Sequence, residues 1–510
     1  MGGWGAQRSS PWTMDTYALI AMPVLALDAG TTSTRALVFS DDGAVLSRVQ
    51  RPFPQFFPRD GWVEHDADEI WIETLACARE ALAAARLTAI DIAGIGIAVQ
   101  RETVVVWERS TGLPIHRAIV WQDRRTADAC RALAADPAAL ALVARTGLLL
   151  DPYFSATKIA WLLDHVPGAR ARAERGELIA GTIDSWLLWR LTGGRVHATD
   201  ATNASRTLLY DIYRQSWSDE LCELFRVPRA MLPEVRDSAD DYGMTDRKLL
   251  GTTIAVRALI GDQQAAAVGQ DCVAPGEAKA TYGTGCFVLV HTGDAPLVSR
   301  HRLLATVALR LAGRATYALE GSIFNAGSVV QWLRDQLGLI ATAAETAEIA
   351  ASVTTSGGVY CVPAFTGLGA PWWDPDARAA LVGMTRGSGR AEIVRAALES
   401  VAFQTRDLAN AFADDGVALT SLRVDGGMAV NDWLMQAVAD QLRLNVERPA
   451  VLETTAWGAA RLAGLHAGIY PPLGTAGARR VERTFAPSGD ARDADRLHAG
   501  WLRAVARTRS

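Results

Sequence analysis

Val24-Leu-Ala-Leu-Asp28-Ala-Gly-Thr-Thr-Ser-Thr-Arg35-Ala-Leu-Val-Phe-Ser40 is the stretch on which the fold turns. Two short apolar runs flank a turn crowded with glycine and hydroxyls. Asp41-Asp42-Gly43 then reverses the chain before another strand-like segment, a pattern that reads as a β-meander. The same grammar returns at residues 278–290, AKATYGTGCFVLV, again strand, Gly-Thr-Gly turn and strand. A second pair of segments also matches. Residues 90–99 (IDIAGIGIAV) form an apolar strand candidate running into Gln100-Arg101-Glu102, and Leu422-Arg-Val-Asp425 runs into Gly426-Gly427. This repetition predicts a duplicated fold with a cleft between its halves, and ligands bind in such clefts beyond the carboxyl ends of strands.

Helices alternate with the strands. Apolar residues recur every three or four positions over residues 69–85, 126–133, 157–165 and 183–191, and short strands are expected at 104–107 and 119–121. Mixed order of this kind predicts an α/β protein. A chain of 510 residues exceeds what one core serves, and Val273-Ala-Pro275-Gly276 marks the best boundary. The expected domains are therefore 23–270 and 271–470, with 1–22 and the basic segment 471–510 as peripheral extensions.

Composition narrows the partners. Lys and Arg total 51 against 56 Asp and Glu and are spread along the chain, which disfavours nucleic acid. No run approaches the roughly 18 uninterrupted apolar residues of a membrane span. The segment up to Met22 lacks the apolar core of a secretory signal, and Met1, Met14 and Met22 stand as alternative starts. Cys77, Cys130, Cys222, Cys272, Cys286 and Cys361 include no C-x-x-C pair and the histidines no H-E-x-x-H. Both facts argue against a zinc site or a disulfide framework, and a reducing cytoplasm fits best.

Phosphate binding needs N–H groups and hydroxyls aimed at one point, which a tight turn rich in Gly, Ser and Thr supplies. Residues 28–35 offer four hydroxyls, on Thr31, Thr32, Ser33 and Thr34, with Gly30 and the cation of Arg35; Gly283-Thr284-Gly285 is a second such turn. Either alone reads equally as a plain hairpin turn. One at the start of each half points to a nucleotide between them. G-x-x-x-x-G-K-[ST], H-R-D, D-F-G and G-x-G-x-x-G are absent, which disfavours P-loop, protein-kinase and dinucleotide architectures. Asp28 is a candidate for holding Mg²⁺ through water, or a turn-capping carboxylate. Arg101 and Glu102 are either a solvated loop or the donor–acceptor couple that a polyol requires. Asp262, ahead of Gln263-Gln264-Ala265, is either a helix N-cap or a general base for a hydroxyl that attacks a γ-phosphate. Trp121, Tyr153 and Phe287 read by default as core aromatics.

In order along the chain stand Gly61-Trp-Val-Glu-His-Asp66, Gln100-Arg-Glu-Thr103, Ile119-Val-Trp-Gln122, Asp151-Pro-Tyr-Phe-Ser155, Thr202-Asn-Ala-Ser-Arg206, Gly261-Asp-Gln-Gln264, Thr281-Tyr-Gly-Thr-Gly-Cys-Phe287, Ala364-Phe-Thr-Gly-Leu-Gly-Ala-Pro371 and Arg423-Val-Asp-Gly-Gly427. Together, from about residue 24 to 470, they resemble the FGGY carbohydrate kinases. That resemblance implies two ribonuclease H-like domains of the actin and hexokinase type, with an interdomain cleft that closes on ATP, Mg²⁺ and substrate. The Q-R-E-T and D-P-Y-F-S combination implies glycerol rather than xylulose, gluconate or ribulose. Arg101, Glu102, Tyr153 and Asp262 would then hydrogen-bond the three hydroxyls, Gln263 would assist, and Trp121 and Phe287 would press on the carbons. Asp262 would be the base. Thr31, Thr32, Ser33, Arg35 and Thr284 would contact phosphates, while Gly327, Gln331, Gly427 and Met428 would border adenine and ribose. Family analogy also implies a homodimer or homotetramer.

Two departures stand out. Many family members carry two asparagines after the glycine pair, where this chain has Asn431 and Asp432. The glycine-rich loop that takes part in binding fructose 1,6-bisphosphate in regulated bacterial members corresponds to residues 245–251, with a single glycine, which implies insensitivity to that sugar phosphate. The rival readings are a kinase for dihydroxyacetone or erythritol, and a non-catalytic actin-like ATP-binding protein.

Overall fold

The computed structural model describes residues 22–374, 376–475 and 480–509. Met1, Met14 and nearly all of the expected N-terminal extension lie outside them.

The opening meander forms as expected, from β1 (Val24–Ala29), β2 (Ser33–Phe39) and β3 (Val45–Pro52). β4 (Gly94–Val99) lies parallel to β1, and β5 (Val256–Gly261) parallel to β4, giving the order β5-β4-β1-β2-β3. β1 and β4 are buried at every position, which is why their sequences run apolar without alternation.

The second sheet repeats the plan. β6 (Glu277–Tyr282) and β7 (Cys286–Gly293) are the second hairpin, followed by β8 (Leu304–Leu311) and β9 (Arg314–Ile323). β10 (Ser421–Asp425) and β11 (Val446–Pro449) add in parallel, and β12 (Val481–Phe485) closes the order β8-β9-β7-β6-β10-β11-β12. Antiparallel strands extended by parallel ones occur twice over, the duplication the repeat predicts and the ribonuclease H-like arrangement the family resemblance implies.

The halves meet through two helices. Asp262–Gly269 follows β5, and Thr454–His466 packs across it and against the first sheet. Only glycine fits at their crossing: a Cβ at Gly458 would run into the Ala265 carbonyl, and one at Gly269 into that of Thr454.

The four expected helices appear as Ala67–Ala84, Ala127–Ala134, Ser155–His165 and Ile183–Leu191. Two expectations need correction. The strand at 90–99 begins only at Gly94, because the Asp91 carboxylate accepts the Thr88 N–H at 2.8 Å, closes a 3₁₀ turn, and turns Ile90 outward. The basic segment after Thr475 is not peripheral. β12 pairs with β11, and the helix Ala491–Ala506 buries Trp501 against Phe403, its indole donating to Asp407 at 2.8 Å. Arginines on the outer face of that helix mask an amphipathic pattern. None of the six cysteines forms a disulfide. No helix among the described residues is long and apolar enough to cross a membrane.

Candidate active site

β1, β4 and β5 run in one direction, so their carboxyl ends bring Gly30, Arg101 and Asp262 to one place. β4 gives way at Gln100, whose side-chain amide donates to the Gly30 carbonyl at 3.0 Å. The chain then makes a γ-turn. Thr103 N–H donates to the Arg101 carbonyl at 2.7 Å, and Glu102 between them takes a φ of 61°. A glutamate is strained there and persists only because its surroundings hold it. The turn sends both charged side chains inward, each 2% exposed, which removes the solvated-loop reading.

Asp262 is the first residue of its helix, not the N-cap; Gly261 takes that position. The Asp262 carboxylate accepts the Gln263 N–H at 2.7 Å and faces Arg101 Nε at 3.2 Å. With 27% of its side chain exposed, it is more open to the cleft than Glu102, which lies at the floor with 2% exposed.

Aromatic rings form the apolar wall. Tyr153 accepts from Arg101 Nη2 at 3.5 Å and meets Trp121 edge-on at 5.5 Å, and Trp121 meets Phe287 of the second domain at 6.1 Å. The Trp121 indole N–H donates to Thr31 Oγ1 at 2.9 Å, which fixes the ring. Charged groups on one side and half-buried rings on the other suit a small polyol.

Sequence reasoning missed three charges under this floor. Glu320 accepts from Arg101 Nη1 at 2.5 Å and from Arg206 Nη2 at 2.8 Å, and Arg206 Nε donates to Glu102 at 2.6 Å. Lys279 donates to Gln263 Oε1 and, at 3.0 Å, to Thr281. All three are buried. Burial alone would raise the Glu320 carboxyl, but the guanidiniums of Arg101 and Arg206 bring it down to about 2. Burial pushes Glu102 up and Lys279 down. The available signal was a lone charge inside an apolar strand, Ala-Leu-Glu320-Gly and Ala-Lys279-Ala. A lone buried charge demands a partner.

The two hydroxyl-rich turns leave different groups free. Thr34 is not among them: its hydroxyl faces the core and pairs with Thr74 at 2.9 Å, because alternation along β2 turns it away from Ser33 and Arg35. Ser33 accepts from Gln50 at 2.9 Å, Arg35 lies 3.4 Å from both Asp28 and Glu453, and Thr32 is exposed. In the second turn, the Gly283 and Thr284 carbonyls accept N–H groups of Gly327 and Ala326 at 2.9 Å, while Thr284 itself is exposed. A Cβ at Gly327 would lie 2.5 Å from the Gly283 carbonyl and 3.5 Å from Met428 Sδ, so Thr284, Gly327 and Met428 form one lip. Gln331 is exposed one helical turn beyond Gly327, and Gly427 is exposed beside Met428.

Burial pushes the Asp28 carboxyl up to about 6, only partly countered by Arg35. Among the described residues no group of three or more His, Cys, Asp or Glu could hold a metal ion. Asp28, with Glu453 sharing its Arg35, is the carboxylate that would hold a hydrated divalent ion.

Residues 23–269 match the N-terminal domain, and 278–467 the C-terminal domain, of the FGGY family of carbohydrate kinases. The chain belongs to that family. It is 59% identical over 488 residues to a glycerol kinase of Rhodospirillum centenum, covering 96% of this chain and 98% of the relative. It is 58% identical over 486 residues to a glycerol kinase of Alcanivorax borkumensis, covering 95% and 98%. Among solved structures, the glycerol kinase of Plasmodium falciparum with ADP matches with a TM-score of 0.90 at 35% identity, covering 96% of this chain and 98% of that one. In this FGGY chain Asn431 caps a helix, accepting the Leu434 N–H at 3.0 Å, and Asp432 pairs with Arg448 at 2.8 Å and with Arg483. The aspartate that departs from the family pattern thus serves the second domain's own packing.

Proposed function

We propose that this protein transfers the γ-phosphoryl group of ATP to glycerol, releasing sn-glycerol 3-phosphate and ADP, in the cleft between its domains. The observation that carries the reading is the convergence of Arg101, Glu102, Tyr153 and Asp262 beside Trp121 and Phe287. Three hydroxyls on three carbons need donors and acceptors on one side and an apolar wall on the other. Full-length similarity to glycerol kinases supports the same substrate.

Phosphoryl transfer is mostly positioning and charge stabilisation. Arg101 donates to the polyol and Glu102 accepts from it, while Gln263, held by Lys279, lines its edge. Asp262 takes the proton of the attacking hydroxyl as its oxygen reaches the γ-phosphate. The first domain, 23–270, supplies the polyol floor and Thr31, Thr32, Ser33 and Arg35 for the phosphates. The second, 271–470, supplies Thr284 for the phosphates and Gly327, Gln331, Gly427 and Met428 around the nucleoside. Asp28 would hold Mg²⁺ through water, and the ion would offset phosphate charge. The protein acts in the cytoplasm as a homodimer or homotetramer.

Initial rates with ATP and glycerol, dihydroxyacetone, erythritol or xylulose test the reading. A site built for three hydroxyls loses much of its rate when one is missing. Glycerol is expected to give the highest kcat/KM, and a higher value for any other polyol or sugar would overturn the assignment.

A further inference from the structure

We propose that Glu320 is a positioning residue for the polyol: a carboxylate supplied by the second domain that sets the orientation of two charged polyol contacts in the first, Arg101 and Glu102. The inference rests on the reading of Arg101 and Glu102 as polyol contacts.

Glu320 lies in the middle of β9, fully buried, in register with Leu289 of β7 and Leu304 of β8. Each of its oxygens takes one guanidinium from the other domain, Oε2 that of Arg101 and Oε1 that of Arg206. Arg206 passes the constraint on, since its Nε donates to Glu102 Oε1. One carboxylate therefore fixes Arg101 directly and Glu102 through a single intermediary. A guanidinium is planar, so pinning one nitrogen beside a second contact fixes the plane of the whole fork. For Arg101 the second contacts are Asp262 at 3.2 Å and Tyr153 at 3.5 Å, both lining the substrate seat. For Arg206 they are Glu102 and the ring faces of Tyr153 and Phe154, at 5.6 and 5.4 Å.

A purely structural role explains this less well. Apolar side chains of similar volume often serve stability as well as a buried ion pair does. The domains are also docked here by other bonds: Gln264 donates to Thr306 at 3.3 Å and to the Val307 carbonyl at 3.2 Å, Ser205 meets Thr306 at 3.0 Å, and Arg310 meets Asp237 at 2.6 Å. What Glu320 supplies is a carboxylate from the second domain that hydrogen-bonds both guanidiniums of the first.

The test is steady-state kinetics on Glu320→Gln, with Glu320→Asp and Arg101→Ala alongside. Misplacing a positioning group by about 1 Å costs up to about 100-fold, so Glu320→Gln should raise KM for glycerol about tenfold or more and leave KM for ATP within about twofold. Glu320→Asp, which keeps the charge, should recover part of the loss. Should Glu320→Gln fail to fold, Arg206→Lys carries the test, because an ammonium cannot bridge Glu102 and Glu320 as the fork does; the same selective rise in glycerol KM is expected. An unchanged glycerol KM, or equal rises for glycerol and ATP, would overturn the proposal. If Arg101→Ala raises glycerol KM and Glu320→Gln does not, only the Glu320 role fails. If Arg101→Ala has no effect, the reading of the polyol site beneath it fails as well.

Discussion

Replacing Asp262 by asparagine tests whether its carboxylate serves chemistry or only binding. The substitution keeps shape, and asparagine Oδ1 still accepts the Gln263 N–H that the carboxylate accepts at 2.7 Å. Arg101 loses its 3.2 Å ionic contact to Asp262 but keeps Glu320 at 2.5 Å and Tyr153 at 3.5 Å, so the polyol floor stays assembled. Asparagine still offers both an acceptor and a donor to a polyol hydroxyl, so glycerol affinity should change by less than about tenfold, or about 1.4 kcal/mol. Removing a general base costs about 100-fold to 10,000-fold in rate, or about 3–5 kcal/mol of transition-state stabilisation. With Asp262 as base, kcat in a coupled ADP-release assay should collapse while glycerol binding by calorimetry stays nearly intact. A kcat within about tenfold of the parent protein would place the base elsewhere, and loss of glycerol binding with kcat unchanged would make Asp262 a binding residue only.

Three further outcomes follow from the same geometry. Burial lifts the Asp28 carboxyl from 3.8 to about 6, so folding favours its neutral form; that contribution is full below the unfolded value and is lost as pH rises through about 6. Asp28→Asn should therefore raise Tm above pH 7, by up to about 3 kcal/mol of stability, with the gain vanishing below about pH 4 while turnover falls at every pH; equal melting curves at pH 8 would refute this. Gly327→Ala places a Cβ 2.5 Å from the Gly283 carbonyl. It should raise KM for ATP about tenfold without moving that for glycerol, since overpacking of a tight contact costs about 1–3 kcal/mol. Residues 245–251 hold one glycine and a short helix, Arg247–Leu250. Fructose 1,6-bisphosphate should accordingly leave the rate unchanged, and dose-dependent inhibition would contradict that reading.

The fold was legible because β1 and β4 announce themselves through apolar runs that end in glycine and polar residues, and because the strand, glycine-threonine turn and strand pattern recurs at β6 and β7. Of the site, Arg101, Glu102 and Asp262 were visible as charges at strand ends. Local sequence did not show that Glu102 sits in a γ-turn, and only the turn decides whether its side chain faces water or core. Glu320, Arg206 and Lys279 stayed hidden for a different reason. The partners of Glu320 and Arg206 are remote in the chain, Glu320 and Arg101 being 219 residues apart, so no local periodicity connects them, and Lys279 pairs with uncharged Gln263 and Thr281, which no charge pattern marks. The helix Ala491–Ala506 escapes a reading by composition because composition is averaged around a helix, whereas burial depends on one face.

The most direct test of the central claim is ADP release by the purified protein with ATP and Mg²⁺, measured with and without glycerol and paired with identification of the phosphorylated product. Release is expected to depend on glycerol and to be matched one for one by sn-glycerol 3-phosphate. Equal release without glycerol, or release with no glycerol phosphate formed, would contradict it.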